Sequence, residues 1–358
     1  MRGASGFGAD RTLSGSGLVV NPVGLLSGRA AKSAVAAGMA SPLAGGRIAF
    51  THCEILESDG LGKVNGRFSS AVEVGIDLSS LTGSRAPFAG HYLVRPLLMG
   101  VINVTPDSFS DGNDYPDSAR AIAHADALID AGADVLDIGG ESTRPGAAPV
   151  GVKEECKRIL PVIEAAVAAG VTVSVDTRHA ETMRVAIEAG AKIVNDITAL
   201  TDDDTALKTV AESGVSVILM HMQGKPENMQ DNPCYGLASF DVYNWLRARI
   251  DACLKSGILP DKIAVDPGIG FGKADTHNME ILNRVGLFHG LGCAVAVGVS
   301  RKSFIGRIGG IETPKERLPG TIAATAIALS RGIQIHRVHD VAAIRQAIAI
   351  WEAQYDNG

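Results

Sequence analysis

Ionisable and amide side chains follow a series of short, β-branched apolar runs along this sequence. Each run is typical of a strand, and each ends in a polar residue. In chain order these residues are Asn103, Asp137, Asp176, Asn195, His221, Asp266, Arg301 with Lys302, and Arg337 with His339. Asp or Asn after a strand is also a common helix N-cap. Capping alone does not account for the whole series, which therefore predicts one site built from many strand ends.

Two carboxylates, an amide and a lysine form the first group within this series. They are Asp176, Asn195, Asp266 and Lys302. Acceptors and donors set side by side suit a flat heterocycle with amidine-like edges, such as a pteridine or a purine. Because a buried carboxylate is costly to ionise alone, donors must face the two acids.

Cations form the second group. Residues 300–303 (S-R-K-S) and the pair Arg337 and His339 follow neighbouring strands. Since side chains alternate along a strand, Arg337 and His339 share one face and His336 takes the other, where we interpret it as structural. The pattern favours a phosphate or diphosphate ligand. An ion-pair network with nearby carboxylates is the alternative.

The donors near these positions are mostly oxygen atoms, and histidines are few. Such a site favours Mg²⁺ shared with phosphates over Zn²⁺. His221 lies in an M-H-M stretch without ligand spacing, so we expect residues 220–222 to form a strand end and a pocket wall.

Two long loops follow the first two predicted strands of the series. They are residues 105–112 (T-P-D-S-F-S-D-G) and 139–146 (G-G-E-S-T-R-P-G). Their glycine, proline and hydroxyl residues predict loops that close over a ligand and present backbone donors. A pair of solvated turns is the alternative.

The elements that position these residues alternate regularly from Leu97 onward. Strands are predicted at 98–101, 135–138, 172–175, 192–194, 215–220, 263–265, 294–299 and 333–338. Helices are predicted at 119–131, 153–169, 181–189, 240–256, 278–287, 319–330 and 341–353, with a capping box at Thr313 and Glu316 before the penultimate one. Eight βα units over about 260 residues match an α/β fold of the (β/α)8 TIM-barrel type, whose sites lie at the carboxyl ends of the strands.

An open, doubly wound sheet is the rival fold. No glycine-rich phosphate fingerprint follows the first predicted strand. Residues 268–273 (G-I-G-F-G-K) also lack the Walker spacing, because Pro267 occupies the position of the first glycine and Ala274 follows the lysine. This stretch is interpreted as a tight turn at the barrel rim.

Residues 1–91 precede the regular pattern and are interpreted as an N-terminal extension of unknown role, ahead of a barrel at 92–358. This part is rich in Gly, Ser and Ala and only weakly periodic. A short helix is predicted at 30–40, and residues 72–76 are predicted to pair as a strand. We see no catalytic motif in it.

The composition excludes several classes of protein. In 358 residues, 39 Asp+Glu outnumber 33 Lys+Arg and aromatic residues make up 4%, which argues against a nucleic-acid partner. No apolar run approaches the roughly 18 residues that span a bilayer, and the first ten residues make a poor secretory signal. Five scattered cysteines without a C-x-x-C motif indicate a reducing compartment. We therefore expect a cytoplasmic protein with small-molecule substrates.

Seven stretches together resemble the dihydropteroate synthase family. They are residues 99–112 (MGVINVTPDSFSDG), 137–146 (DIGGESTRPG), 174–177 (SVDT), 194–196 (VND), 266–273 (DPGIGFGK), 300–304 (SRKSF) and 337–340 (RVHD). The resemblance runs from about Leu97 to the C-terminus. It implies condensation of 6-hydroxymethyl-7,8-dihydropterin pyrophosphate with 4-aminobenzoate, which gives 7,8-dihydropteroate and pyrophosphate in folate biosynthesis.

The resemblance also implies roles for individual residues. The pterin would be held by Asp176, Asn195, Asp266 and Lys302 between walls formed by Met220 and Phe271. The leaving diphosphate would be held by Thr143, Arg144, Arg337 and His339, with Mg²⁺ bound through Asn103. The aminobenzoate pocket would be lined by Phe109, Pro145 and Ser303. Asp176, Lys302, Arg337 and His339 would be the catalytic residues, and the family suggests a homodimer built from barrel helices.

The implied mechanism needs no covalent nucleophile, in agreement with the lack of a recognisable Ser–His or Cys–His pair in the sequence. The nearest rival is a pterin-barrel methyltransferase that acts on methyltetrahydrofolate and a corrinoid protein. Such an enzyme needs no diphosphate site, so the two cationic stretches argue against it. A catalytically silent homologue that binds pterin for assembly or regulation is the second alternative.

Overall fold

A four-stranded antiparallel sheet with two helices forms the N-terminal part of the chain. The computed structural model describes residues 17–61, 63–105, 117–142 and 150–357. The first elements are β1 (Leu18–Leu26), α1 (Gly28–Ala36), β2 (Ser41–Pro42), β3 (Ala49–Ser58), β4 (Val64–Ser70) and α2 (Ser79–Thr82). Strand β3 is central and pairs with β1, β2 and β4. The prediction of a strand at 72–76 is wrong, because Val74 and Ile76 cover the sheet's core as an irregular segment.

Eight parallel strands close into a barrel, as predicted. They are β5 (Leu97–Asn103), β6 (Val135–Gly139), β7 (Thr172–Asp176), β8 (Ile193–Asp196), β9 (Ser216–Met220), β10 (Ile263–Asp266), β11 (Ala294–Val297) and β12 (Ile335–Val338). Their order follows the chain, and β12 pairs with β5 to complete the ring. The fold is a TIM barrel with an N-terminal extension.

Helices alternate with the strands around the barrel. They are α3 (Asp117–Asp130), α4 (Val152–Ala168), α5 (Ala180–Glu188), α6 (Ala206–Ser213), α7 (Ala238–Lys255), α8 (Asp275–Asn283), α9 (Ser303–Gly309), α10 (Leu318–Ser330) and α11 (Val341–Asn357). Among the described residues, α6 and α9 were not predicted as separate helices. The predicted capping box is wrong, because the side chain of Thr313 makes no capping hydrogen bond at the short 3₁₀ turn that it precedes.

Side chains that point into the barrel change character from the bottom to the top. An apolar cluster fills the lower part and includes Met99, Ile193, Ile218 and Ile335. Farther along the same strands the inward positions are polar, for example Asp176 and Asn195. Because the ionisable groups gather at the carboxyl ends of the strands, that end is where the site is expected in this fold.

The lower mouth of the barrel is closed by Phe88. Its side chain is 2% exposed and packs into the lower apolar cluster, and the nearby His91 Nε2 lies 2.9 Å from Thr172 Oγ1 at the start of β7. We expect Phe88→Ala to destabilise the protein by about 3–5 kcal/mol, the cost of a cavity left by a buried aromatic ring. The lowered midpoint would be measured by thermal or urea unfolding. Tyr92→Ala, at a residue that is 74% exposed, is the control and should leave the midpoint nearly unchanged.

The N-terminal sheet is joined to the barrel by a nearly buried ion pair. Glu54 on β3 accepts two hydrogen bonds from Arg284, at the end of α8, at 3.0 Å each. It also accepts one from Asn21 on β1 at 2.8 Å. Burial raises the pKa of Glu54, but the hydrogen bonds from Arg284 and Asn21 outweigh it and leave the pKa below its ordinary value. The carboxylate therefore stabilises the folded state in its ionised form.

This ion pair gives a pH-dependent prediction. Glu54→Gln should lower the free energy of unfolding at neutral pH by about 1–3 kcal/mol. Since the folded pKa is lowered, the loss should be complete above the unfolded value of about 4.3 and should vanish as the pH falls through the folded pKa. Urea titrations of the wild type and the variant at pH 7 and at pH 3 test this. Glu57→Gln, at an exposed position of the same strand, is the control, and an equal loss at both pH values would contradict the assignment.

Arg85 fastens the segment before the barrel to its lower side. Its guanidinium donates to the carbonyl oxygens of His289 at 2.6 Å and Cys293 at 2.9 Å.

Within the described residues, no helix is long and apolar enough to cross a membrane.

Candidate active site

The polar strand ends converge at the upper mouth of the barrel. Asn103, Asp176, Met220 and Asp266 are the last residues of β5, β7, β9 and β10. Asn195 lies in β8 and Arg337 in β12, while Phe271, Lys302, Ser303 and His339 occupy the segments that follow strands or begin a helix. Because β12 neighbours β5 and the ring is closed, these residues surround one opening.

Arg337 is the centre of the arrangement. Its Nε donates to Asp137 Oδ2 at 2.5 Å, and one of its terminal nitrogens donates to Asp176 Oδ2 at 2.5 Å. Forked, charge-assisted contacts of this kind fix both partners. The predicted acid group and the predicted cation group are therefore parts of one site.

Asp137 lies deeper than the other acids, and sequence reasoning gave it no role beyond its place at a strand end. It is fully buried and also accepts a hydrogen bond from Asn195 Nδ2 at 3.1 Å. Its second oxygen, Oδ1, has no hydrogen-bond partner among the described residues. A buried acceptor without a partner suits a donor group of a ligand.

Asp266 and Lys302 form the opposite wall with Phe271. Asp266 Oδ1 accepts the backbone N–H of Gly268 at 2.7 Å, which leaves the other oxygen of the carboxylate for a ligand. The Lys302 Nζ lies 3.9 Å from the centre of the Phe271 ring, within the range of a cation–π contact.

Electrostatics couple these groups. Burial raises the pKa of Asp176 to about 7, with Arg337 opposing and Asp137 adding to the rise. Burial also raises the pKa of Asp266. Burial and Arg337 lower the pKa of Lys302 to about 8, against the pull of Asp266 and Asp176. Perturbed acids and bases gathered in one opening are typical of an active site.

His339 stands beside the cations as a neutral ring. Burial and the charges of Arg337 and Arg301 lower its pKa to about 3. Its Nδ1 lies 3.0 Å from Ser300 Oγ, and its backbone N–H donates to the same oxygen at 3.1 Å. The structure thus contains a Ser–His pair, contrary to expectation. Because Ser300 is 5% exposed and its oxygen already accepts a backbone N–H, the hydroxyl orients His339 and is a poor nucleophile.

Other predicted residues are placed differently or lie elsewhere. The Nε of Arg301 lies 2.9 Å from Asp340 Oδ2. Arg301 therefore forms an ion pair within the barrel rim and is not directed toward a ligand. His336 is buried, with Nε2 3.1 Å from the Ile333 carbonyl oxygen, which agrees with a structural role. Four predicted residues lie outside the described residues: Phe109, Thr143, Arg144 and Pro145.

Comparison with known proteins agrees with this geometry. The family described as pterin binding enzyme matches residues 99–339, which include every strand end of the site. The match spans more than half of the chain, which therefore belongs to the pterin binding enzymes.

Similarity to individual proteins identifies one family among the pterin binding enzymes. The chain is 45% identical to the dihydropteroate synthase of Escherichia coli (strain K12) over 262 residues, which cover 73% of this chain and 92% of that protein. A Xanthomonas albilineans dihydropteroate synthase structure with 4-aminobenzoic acid is 45% identical, with a TM-score of 0.70 and coverage of 73% and 94%. Another from the same organism, in complex with 7,8-dihydropteroate, is 42% identical with a TM-score of 0.68 and the same coverage. This chain belongs to the dihydropteroate synthase family.

Proposed function

We propose that the protein is a transferase that joins 6-hydroxymethyl-7,8-dihydropterin pyrophosphate to 4-aminobenzoate, giving 7,8-dihydropteroate and pyrophosphate for folate biosynthesis. The observation that carries the proposal is the contact of Arg337 with both Asp137 and Asp176. This contact puts acids suited to a ring beside a cation suited to its diphosphate tail. The names and bound molecules of the relatives support the same reaction.

The ring would be held by the acids and the amide. Asp176, Asp266 and the free oxygen of Asp137 accept hydrogen bonds from the amino group and ring N–H groups of the pterin, while Asn195 and Lys302 can donate. Met220 and Phe271 would lie on either side as apolar walls. In the structure the guanidinium of Arg337 occupies one oxygen of Asp176 and one of Asp137, so at Asp176 the amidine-like edge of the pterin would replace one N–H donor with another.

Once displaced from Asp176, Arg337 can turn its charge toward the diphosphate. Breaking the carbon–oxygen bond concentrates negative charge on the leaving group, and a fixed cation at that place lowers the barrier. His339, Thr143 and Arg144 would hold the remaining diphosphate oxygens. Neutral His339 serves as a hydrogen-bond donor through the nitrogen that does not face Ser300.

The carbon left behind carries positive charge that the pterin ring shares. The Asp176 carboxylate, freed from Arg337, would stabilise that cation. The weakly basic amine of 4-aminobenzoate then attacks from the side where Phe109, Pro145 and Ser303 would line its pocket. As the carbon–nitrogen bond forms, the attacking nitrogen loses a proton to the released pyrophosphate. Because the amine attacks the pterin carbon directly, no covalent enzyme intermediate is needed.

Among the described residues, the donors at this site would suit Mg²⁺ as an ion bound mainly through the diphosphate. The described residues contain no group of three or more His, Cys, Asp or Glu that could hold a metal ion. The amide oxygen of Asn103, at the end of β5, is a hard ligand that can complete the shell of an ion bound mainly to phosphate oxygens. When bound there, the ion would offset charge on the leaving group.

The proposal extends to a homodimer built from barrel helices. Helix α10 (LPGTIAATAIALS) carries no charged residue, although Ala323, Ala326 and Ile327 on it are exposed. Ile308 on the neighbouring α9 and Met279 on α8 are exposed as well. An uncharged, apolar outer face of this kind is typical of a subunit interface.

Sedimentation velocity tests the dimer. The wild type should sediment as a dimer at micromolar concentration, and Ile327→Glu should shift it to monomer because a charge would be buried at the interface. Ile350→Glu, at a residue 71% exposed on α11, is the matched control and should remain dimeric. A wild type that is monomeric throughout would rule the dimer out.

We also propose a cytoplasmic location. All five cysteines are free thiols in the structure, which agrees with a reducing compartment.

A coupled assay of pyrophosphate release tests the reaction. With the pterin pyrophosphate, Mg²⁺ and 4-aminobenzoate all present, we expect release matched one to one by dihydropteroate. Omitting 4-aminobenzoate should suppress dihydropteroate formation. Folded protein that binds the pterin but releases nothing would instead indicate a silent homologue, and methyl transfer from methyltetrahydrofolate would indicate the methyltransferase.

A further inference from the structure

Lys273 is a buried lysine directly behind the candidate pterin pocket. Lys273 is 1% exposed, and within the described residues its Nζ contacts two carbonyl oxygens and a histidine ring and forms no ion pair with a carboxylate. A buried cation without such a pair is costly and is retained only where its hydrogen bonds compensate. The mechanism proposed above makes no use of this residue.

Three acceptors surround the Lys273 Nζ. They are the Phe271 carbonyl oxygen at 2.9 Å, His221 Nδ1 at 3.0 Å and the His221 carbonyl oxygen at 3.3 Å. An ammonium group has three N–H donors, so the set is complete. Burial and the charge of Lys273 lower the pKa of His221 to about 2, and its neutral ring therefore accepts through Nδ1.

These contacts tie together two segments that pack backbone against backbone. Gly268 and Gly272 both have positive φ, and a Cβ on either would lie 1.9 Å and 2.3 Å from the carbonyl oxygens of His221 and Gln223. The loop after β10 is thus pressed against the end of β9. Tyr235 adds a hydrogen bond from its hydroxyl to the Gly272 carbonyl oxygen at 2.7 Å.

The two segments carry the two apolar walls of the pocket. Met220 directly precedes His221, and the Phe271 carbonyl is itself a partner of Lys273. The Lys273 Nζ therefore links the backbone beside Met220 to the backbone of Phe271, and Lys302 packs against the Phe271 ring.

We infer that Lys273 is a positioning residue for pterin binding: from behind the pocket it holds the Phe271 wall at a fixed distance from the Met220 wall. The inference rests on the proposed function, since it concerns the same pocket. The charged groups that face the Nζ are Asp266 and Lys302. Burial lowers the pKa of Lys273 to about 7, with Asp266 raising it and Lys302 lowering it.

The test is calorimetric titration of the full-length protein with 6-hydroxymethylpterin, which lacks the diphosphate and so reports on the ring pocket alone. Lys273→Met should weaken the Kd about tenfold, as expected for residues in one hydrogen-bonded network. Lys273→Gln donates through a shorter side chain and should lie between Met and the wild type. Lys262→Met, at the opposite end of β10, is the control and should bind as the wild type does.

A double-mutant cycle with Phe271→Ala shows whether Lys273 acts through that wall. In the Phe271→Ala background, which lacks the phenyl ring, adding Lys273→Met should weaken pterin binding much less than about tenfold, because the effects of coupled residues do not add. Fully additive effects would overturn the inference, and so would a lower unfolding temperature with an unchanged Kd. If Lys273→Met does not fold, Lys273→Gln takes its place, and a wild-type Kd for it is equally decisive. A wild type that does not bind the pterin would overturn the proposed function together with the inference.

Discussion

Arg337→Met is expected to lower kcat for pyrophosphate release by about a hundredfold or more, the effect of removing one fixed charge that meets developing negative charge. The Kd for the pterin pyrophosphate should change much less, because the ring keeps Asp266, Asn195 and Phe271. Single-turnover kinetics and calorimetric titration measure the two quantities separately.

The same substitution should also affect stability. Arg337 donates to Asp137 and Asp176, and its removal leaves two buried carboxylates without their cation. Breaking a buried pair in this way costs about 3–5 kcal/mol, so the unfolding midpoint should fall. Arg337→Lys restores a charge without the fork and should recover part of the stability. Arg307→Met is the control, because it removes an arginine that pairs with Asp275 on the outer surface. It should change neither kcat nor the unfolding midpoint. Equal losses in kcat and in pterin affinity would assign Arg337 to ground-state binding.

Asp266→Asn is expected to weaken pterin binding by about ten- to a hundredfold, the range for a lost hydrogen bond to a charged group. The isosteric amide can still accept the Gly268 N–H through one oxygen. The NH₂ group of the asparagine replaces the second carboxylate oxygen, which is the proposed acceptor for a pterin N–H. Two N–H donors would then face each other. Titration with 6-hydroxymethylpterin gives the affinity.

Asp261→Asn is the matched control for that experiment. Asp261 is exposed in the short turn before β10, five residues before Asp266 in the chain. Its replacement should leave the Kd unchanged. An unchanged Kd in Asp266→Asn would remove Asp266 from the ring site and would leave Asp137 and Asp176 as its acceptors.

The barrel was predictable from the sequence because its signals are local. Each strand is a short apolar run with a polar end, and all eight were found within a few residues of their observed bounds. Helix α6 was missed because it spans only eight residues and buries just Ala206 and Val210. The N-terminal sheet was missed for a related reason. Strand β4 is largely exposed and polar, and β1 pairs with β3 although α1 and β2 lie between them in the chain.

The partnerships inside the site were less predictable because they join residues far apart in the chain. Asp137 and Arg337 are 200 residues apart, and Ser300 and His339 are 39 apart. The sequence left open whether Arg337 would face a phosphate or nearby carboxylates, and it could not state that the carboxylates would be those of Asp137 and Asp176. The stretch 268–273 was correctly interpreted as a turn at the rim, but the inward direction of Lys273 follows only from its burial between two loops.

The way the first strands pack has a consequence for biosynthesis. Phe50 and Ile55 on β3 belong to the same core as Tyr355, and Trp351 packs against it; both aromatic residues lie on α11. Strand β3 leaves the ribosome before the whole barrel and α11 are made, so this part of its apolar surface stays uncovered until then. We expect the nascent chain to depend on chaperones during that interval, because exposed apolar strands aggregate.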